Sequence, residues 1–146
     1  MKKILLLIAT FCLITGCNKD EQMEELKYKT MVIEVNNHRL LVNLENNKSV
    51  KALLEKLDVA DITVNASDYG NFEKVGSLGF NLPRTDKNIT TKPGDVILYQ
   101  GSQITIYYDE NTWNFTKLGS IDISKEELIK ILGSGDVTFT LRKESK

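Results

Sequence analysis

Gly94–Leu118, GDVILYQGSQITIYYDENTWNFTKL, is the stretch whose reading decides the fold. Val96–Tyr99 and Ile104–Tyr108 are rich in β-branched and aromatic residues, which suit a pleated, half-buried surface. Gln100-Gly101-Ser102-Gln103 between them has the composition of a tight hairpin turn. A polar turn, Asp109-Glu110-Asn111-Thr112, then leads into Trp113–Leu118, which carries the only Trp of the chain. These runs predict a scaffold built on a β-sheet.

Working outward, the same signals recur on both sides. Thr30–Val35 and Arg39–Leu44 flank Asn36-Asn37-His38, and Asn tolerates the left-handed backbone that hairpin turns need, so a first hairpin is expected there. Ser49 starts an amphipathic helix with Val50, Leu53, Leu54 and Leu57 on one face, placed over one end of the sheet. A second helix opens at Ser124. Ser124 and Glu127 have capping-box spacing, Ile123 and Leu128 the spacing of a hydrophobic staple, and Gly133 marks the stop. Asp136–Leu141 alternates as a final strand. Ile62–Val64 is a short strand, and Asn65–Lys92 has the composition of a long loop that carries Tyr69, Phe72, Phe80 and Leu82. Those side chains are either satellite core under the loop or a ligand surface.

The N-terminus gives an address. Met1-Lys2-Lys3 is cationic, Ile4–Ile14 is apolar, and Ile14-Thr15-Gly16-Cys17 resembles a bacterial lipobox, so residues 1–16 are expected to be a lipoprotein signal peptide and Cys17 the lipidated N-terminus. Cys12 leaves with the signal peptide, so the mature chain has no disulfide and no thiol chemistry. Residues 17–29 are polar and are expected to form a tether, with one domain over 30–146. The implied location is the bacterial cell envelope, lipid-anchored on the outer face of a membrane, the membrane being a partner through the lipid.

Other chemistries find no residues to carry them. Loss of Lys2 and Lys3 from the 19 basic side chains leaves 17 against 20 acidic, interspersed, which is no footprint for nucleic acid. His38 is the only His and sits at a turn, which removes a Ser-His-Asp triad. There is no phosphate-binding Gly loop, zinc motif or calcium loop, and no cofactor or metal is expected.

The order of elements resembles that of cyclophilins. Thr30–Leu57 is similar to the cyclophilin opening of two strands and a helix. Ser102-Gln103 starting a strand, with Trp113 eleven residues on, resembles the run that carries the ligand-binding Trp of that family. DYGNFEKVG, NLPRTDKNITTKPGDVILYQG and NTWNFTKLG are similar to small bacterial cyclophilin-like domains of secreted lipoproteins. The resemblance implies a mainly β fold, a closed antiparallel β-barrel with two capping α-helices, and a ligand surface outside the barrel.

It also implies departures. Cyclophilin isomerase activity is attributed to an Arg on the third strand, and Ile62–Asn71 has none. The pocket Phe of the family falls at Thr105, and its pocket His falls near Leu118. Of the three arginines, Arg39 and Arg142 sit on strands, which leaves Arg84 in the loop as the weak catalytic candidate and a ligand contact. If Ile104, Ile106 and Tyr108 face the barrel core, Thr105 and Tyr107 face outward by parity. The expected function is a binding module for a peptide or small apolar ligand, with Tyr69, Phe72, Arg84, Thr105, Tyr107 and Trp113 as its site. The alternative is a peptidyl-prolyl cis-trans isomerase. For Trp113 the opposing expectation is that it closes the barrel.

Overall fold

The computed structural model describes residues 25, 26 and 28–144. The expected signal peptide, Cys17 and most of the expected tether lie outside the described residues. Nine strands and two helices follow in the order β1 (Thr30–Val35), β2 (His38–Leu44), α1 (Lys48–Val59), β3 (Ile62–Tyr69), β4 (Glu73–Ser77), β5 (Lys87–Thr90), β6 (Asp95–Tyr99), β7 (Gln103–Tyr107), β8 (Thr112–Ile121), α2 (Lys125–Leu132) and β9 (Val137–Lys143).

Eight of these strands close a ring. The hydrogen-bonded order β2-β1-β9-β3-β4-β7-β6-β8 returns to its start through β2–β8 pairing, while β5 pairs only with β8 and lies outside the ring. All pairings are antiparallel, so the fold is the expected closed barrel without open edges in the ring. Closure depends on Gly119. A Cβ there would stand 2.4 Å from the carbonyl oxygen of Asn43, so no larger residue lets β8 approach β2 this closely.

Turn chemistry sets the hairpins. Asn36 and Asn37 both have positive φ, 47° and 61°, in the β1–β2 turn, and Gln100 and Gly101 do the same in the β6–β7 turn. The helices stop the two ends of the barrel. Val50, Leu53, Leu54 and Leu57 of α1 and Leu128, Ile131 and Leu132 of α2 join one interior cluster with Met31, Ile33, Val42, Val64, Ile104, Ile106, Leu118, Phe139 and Leu141. Ser124 caps α2 by accepting from Glu127 N at 3.2 Å, and Gly133 ends it at φ 71°.

Three expectations change. Helix α1 begins before Ser49, because Asn47 Oδ1 accepts from Val50 N at 2.9 Å and is the N-cap. The Asn65–Lys92 loop contains a hairpin and β5: strand β3 runs on through Asn65–Tyr69 and pairs with β4 around Gly70-Asn71. Asn65, Ser67 and Asp68 favour turns by composition, but Val64 and Ala66 alternate with them as buried residues, and packing on that face wins over propensity. The folded body also starts ahead of Thr30. Leu26 and Tyr28 are half-buried against the interior cluster, and Lys29 O accepts from Leu44 N at 2.9 Å.

Candidate functional site: an aromatic cleft outside the barrel

Strand β7 has two buried faces. Ile104 and Ile106 point into the barrel, and Thr105 and Tyr107 point out, as parity requires. The outer face is covered in turn: Ile97, Tyr107 and Phe115 form a second buried cluster, with Phe72, Ile89 and Tyr99 packed against it. Phe72 stacks on Tyr107 at a centroid distance of 6.0 Å and an interplanar angle of 8°, and Tyr107 meets Phe115 at 5.6 Å. Tyr69 stands edge-on to Phe72 at 5.9 Å. These distances fall in the range of favourable aromatic pairs.

Above this cluster lies a cleft of about 320 Å³. Its lining includes Tyr69, Phe72, Tyr99, Tyr107, Trp113 and Phe115, with Glu73, Gln103 and Asn111 supplying polar groups. Tyr69 and Trp113 are 64% and 61% exposed, against interior residues that are nearly all sealed, and both belong to this one cleft. Trp113 does not close the barrel; it sits on the part of β8 that pairs with β5, opposite Ile89.

The polar groups adjoin one another. Asn111 Nδ2 donates to the Tyr107 hydroxyl at 3.4 Å, and Glu73 stands opposite Tyr107 in the β4–β7 ladder. Burial raises the Glu73 carboxyl above the usual carboxylate range, the Tyr107 hydrogen bond opposes the shift, and the Asp68 carboxylate adds to it. Burial also raises the Tyr107 hydroxyl, with the hydrogen bond to Glu73 acting the same way. Glu73 Oε2 has no hydrogen-bond partner.

Four of the six residues expected from sequence, Tyr69, Phe72, Tyr107 and Trp113, meet in the cleft. Thr105 faces outward but is 1% exposed and outside the lining, its hydroxyl 3.4 Å from Ile97 O. Arg84 is also outside the lining. Its guanidinium is held by Asp86, with Nε donating at 2.9 Å, and Thr116 donates to the other oxygen of the same carboxylate at 2.7 Å. Burial pushes the Asp86 carboxyl up, but those hydrogen bonds outweigh it and leave the group below its ordinary value.

Glu73, Tyr99, Gln103, Asn111 and Phe115 were not singled out from sequence. Parity with Tyr107 identifies Gln103, and the cross-strand pair Tyr99–Gln103 then identifies Tyr99; Glu73 needs the β4–β7 register, which no local pattern contains. Among the described residues there is no cluster of three metal-ligating side chains and no helix long and apolar enough to cross a membrane.

A family model described as "Cyclophilin-like family" matches residues 33–142. The hypothetical protein AF2241 from Archaeoglobus fulgidus shares 14% identity and a TM-score of 0.57, over 80% of this chain and 95% of that one. A structure of McbB in complex with tryptophan shares 14% identity and a TM-score of 0.55, over 80% of this chain and 45% of that one. No curated protein matches the chain in sequence.

Proposed function

This chain belongs to the cyclophilin-like family, and on that premise we propose that it is a lipid-anchored, extracytoplasmic binding module that holds a peptide or small apolar ligand in the outer cleft. The observation that carries the reading is the exposure of Tyr69 and Trp113 over a floor of buried aromatic rings. Exposed large aromatics gathered at one concave place are what a binding site needs, since they supply apolar contact area with little side-chain entropy to lose. Binding without isomerase catalysis is supported by a lining that contains no arginine, and by Arg84 being tied to Asp86. Strand β3, the third of the barrel, carries no arginine either.

The anchor is supported by the cationic start, the apolar run and Gly16-Cys17. Several acyl chains would hold the protein firmly, where one alone is marginal. Cys17→Ser is expected to release the protein from the membrane fraction; retention after a high-salt wash would sink the anchor.

Trp113 makes the cleft testable. In the full-length protein its fluorescence is expected to be quenched by iodide and to become shielded when a proline-containing peptide or an aromatic amino acid is titrated in. A Trp113 signal unchanged by every such ligand overturns the reading. Turnover of a prolyl peptide well above background, abolished by Arg84→Ala, would replace it with the isomerase alternative.

A further inference from the structure

One group in the cleft is used neither by packing nor by the apolar reading of the site. Glu73 stands directly opposite Tyr107 in the β4–β7 ladder and is 8% exposed. Its Oε2 is buried without a hydrogen-bond partner. A buried carboxyl oxygen left bare is a liability for folding, and its place in a cleft rather than in the sealed interior means that a ligand can supply what is missing.

The surroundings favour one sign of charge. The rings of Tyr69, Phe72, Tyr107 and Trp113 attract cations with their π faces, and the Asp68 carboxylate on the far side of the sheet adds negative charge nearby. Lys74, the neighbour in sequence, projects to the other face of β4, where it donates to Gly135 O at 2.6 Å and lies 3.5 Å from Asp68. Among the described residues no lysine or arginine pairs with Glu73.

From this juxtaposition we infer that the cleft selects ligands bearing a protonated amine on an apolar or aromatic body, with the ammonium donating to Glu73 Oε2 and the body lying between Tyr69 and Trp113. The inference rests on the reading of the cleft as a binding site. In the free protein Glu73 is flanked on its own face by Tyr69 from β3 and Tyr107 from β7, with Asn111 behind Tyr107, and Asp68 lies on the other face beside Lys74. When the amine binds, an ammonium N–H donates to the Glu73 carboxylate, and no covalent bond is made or broken. Charge-assisted hydrogen bonds of this kind are stronger than neutral ones.

Calorimetric titration of the full-length protein tests it with three probes: phenethylamine, its neutral counterpart 2-phenylethanol, and acetyl-Gly-Lys-Gly-amide. An amine is expected to bind about ten-fold or more tightly than the alcohol, as one charge-assisted contact allows. Glu73→Gln is expected to erase the preference for the amine, so that phenethylamine and 2-phenylethanol bind with equal affinity. Preference for phenethylamine over the lysine peptide assigns a free amine as the source, and the reverse assigns a peptide side chain; either supports the inference. Equal affinity for phenethylamine and 2-phenylethanol overturns the selectivity while leaving the cleft in place, and no binding of any probe overturns both. Tyr107→Phe keeps the carboxyl and removes the hydroxyl opposite it, so it decides the matter if Glu73→Gln does not fold: amine preference should persist, and its loss would overturn the inference.

Discussion

The two sides of β7 bury side chains for different ends. Inside the barrel, Ile104 and Ile106 meet aliphatic residues from both helices and most strands, with Phe139 the largest apolar ring in the sealed cluster. Outside, Tyr107 meets Phe72, Phe115 and Tyr99, and the cluster carries a carboxyl, an amide and hydroxyls at its upper surface. The inner side is a packed interior whose buried polar groups are partnered, as Lys74, opposite Ile106, is by Gly135 O. The outer side is a packed floor with its polar groups retained and an opening above. The difference teaches that burial alone does not separate core from site; what separates them is whether unsatisfied polar atoms and exposed rings remain.

That contrast can be broken most directly from the inside. Phe139→Ala should lower stability by about 3–5 kcal/mol in denaturant melts, as expected for a core aromatic. A loss much smaller would mean that the interior is no tighter than the cleft floor. Leu128→Ala should cost about 2–5 kcal/mol, and Ser124→Ala, which removes only the cap of the same helix, about 1 kcal/mol. The reverse order would show that α2 is not docked by its apolar face.

Glu73→Gln sharpens the comparison from the outer side. The folded protein holds the Glu73 carboxyl above its ordinary range, so the stability linked to this group is full below the unfolded carboxylate pKa and is lost as pH rises through the folded one. The variant should therefore match the parent near pH 4 and gain on it toward neutral pH, by thermal melts across that range. A parent that gains on the variant as pH rises would contradict the burial of the carboxyl. The smallest effect is expected at Trp113, whose ring is largely wet: Trp113→Leu should change stability by no more than about 0.5 kcal/mol, as for surface substitutions, while weakening ligand binding.

Most of the barrel was legible because its signals are local. Asn36-Asn37, Gln100-Gly101 and the Ser124 cap each place a turn or a helix end within a few residues. What escaped was built from distant partners. Asn65, Ser67 and Asp68 become strand residues only because β9 and β4 pair on either side of β3, and Lys87–Thr90 becomes β5 only by adding to β8. The site divides in the same way. Tyr107 and Trp113 follow from alternation and spacing along one stretch, whereas Glu73 reaches Tyr107 through a ladder between strands far apart in sequence. Thr105 shows the limit of parity, which gives the face of a side chain and not what covers it.

The ring order has a consequence for access. Strand β1, where the chain enters the barrel, stands halfway round the eight-strand circuit from β7, which carries the cleft floor. The described chain therefore enters the barrel on the side away from the aromatic opening. Chain entry and aromatic opening occupy opposite sides of the same cylinder, so neither crowds the other.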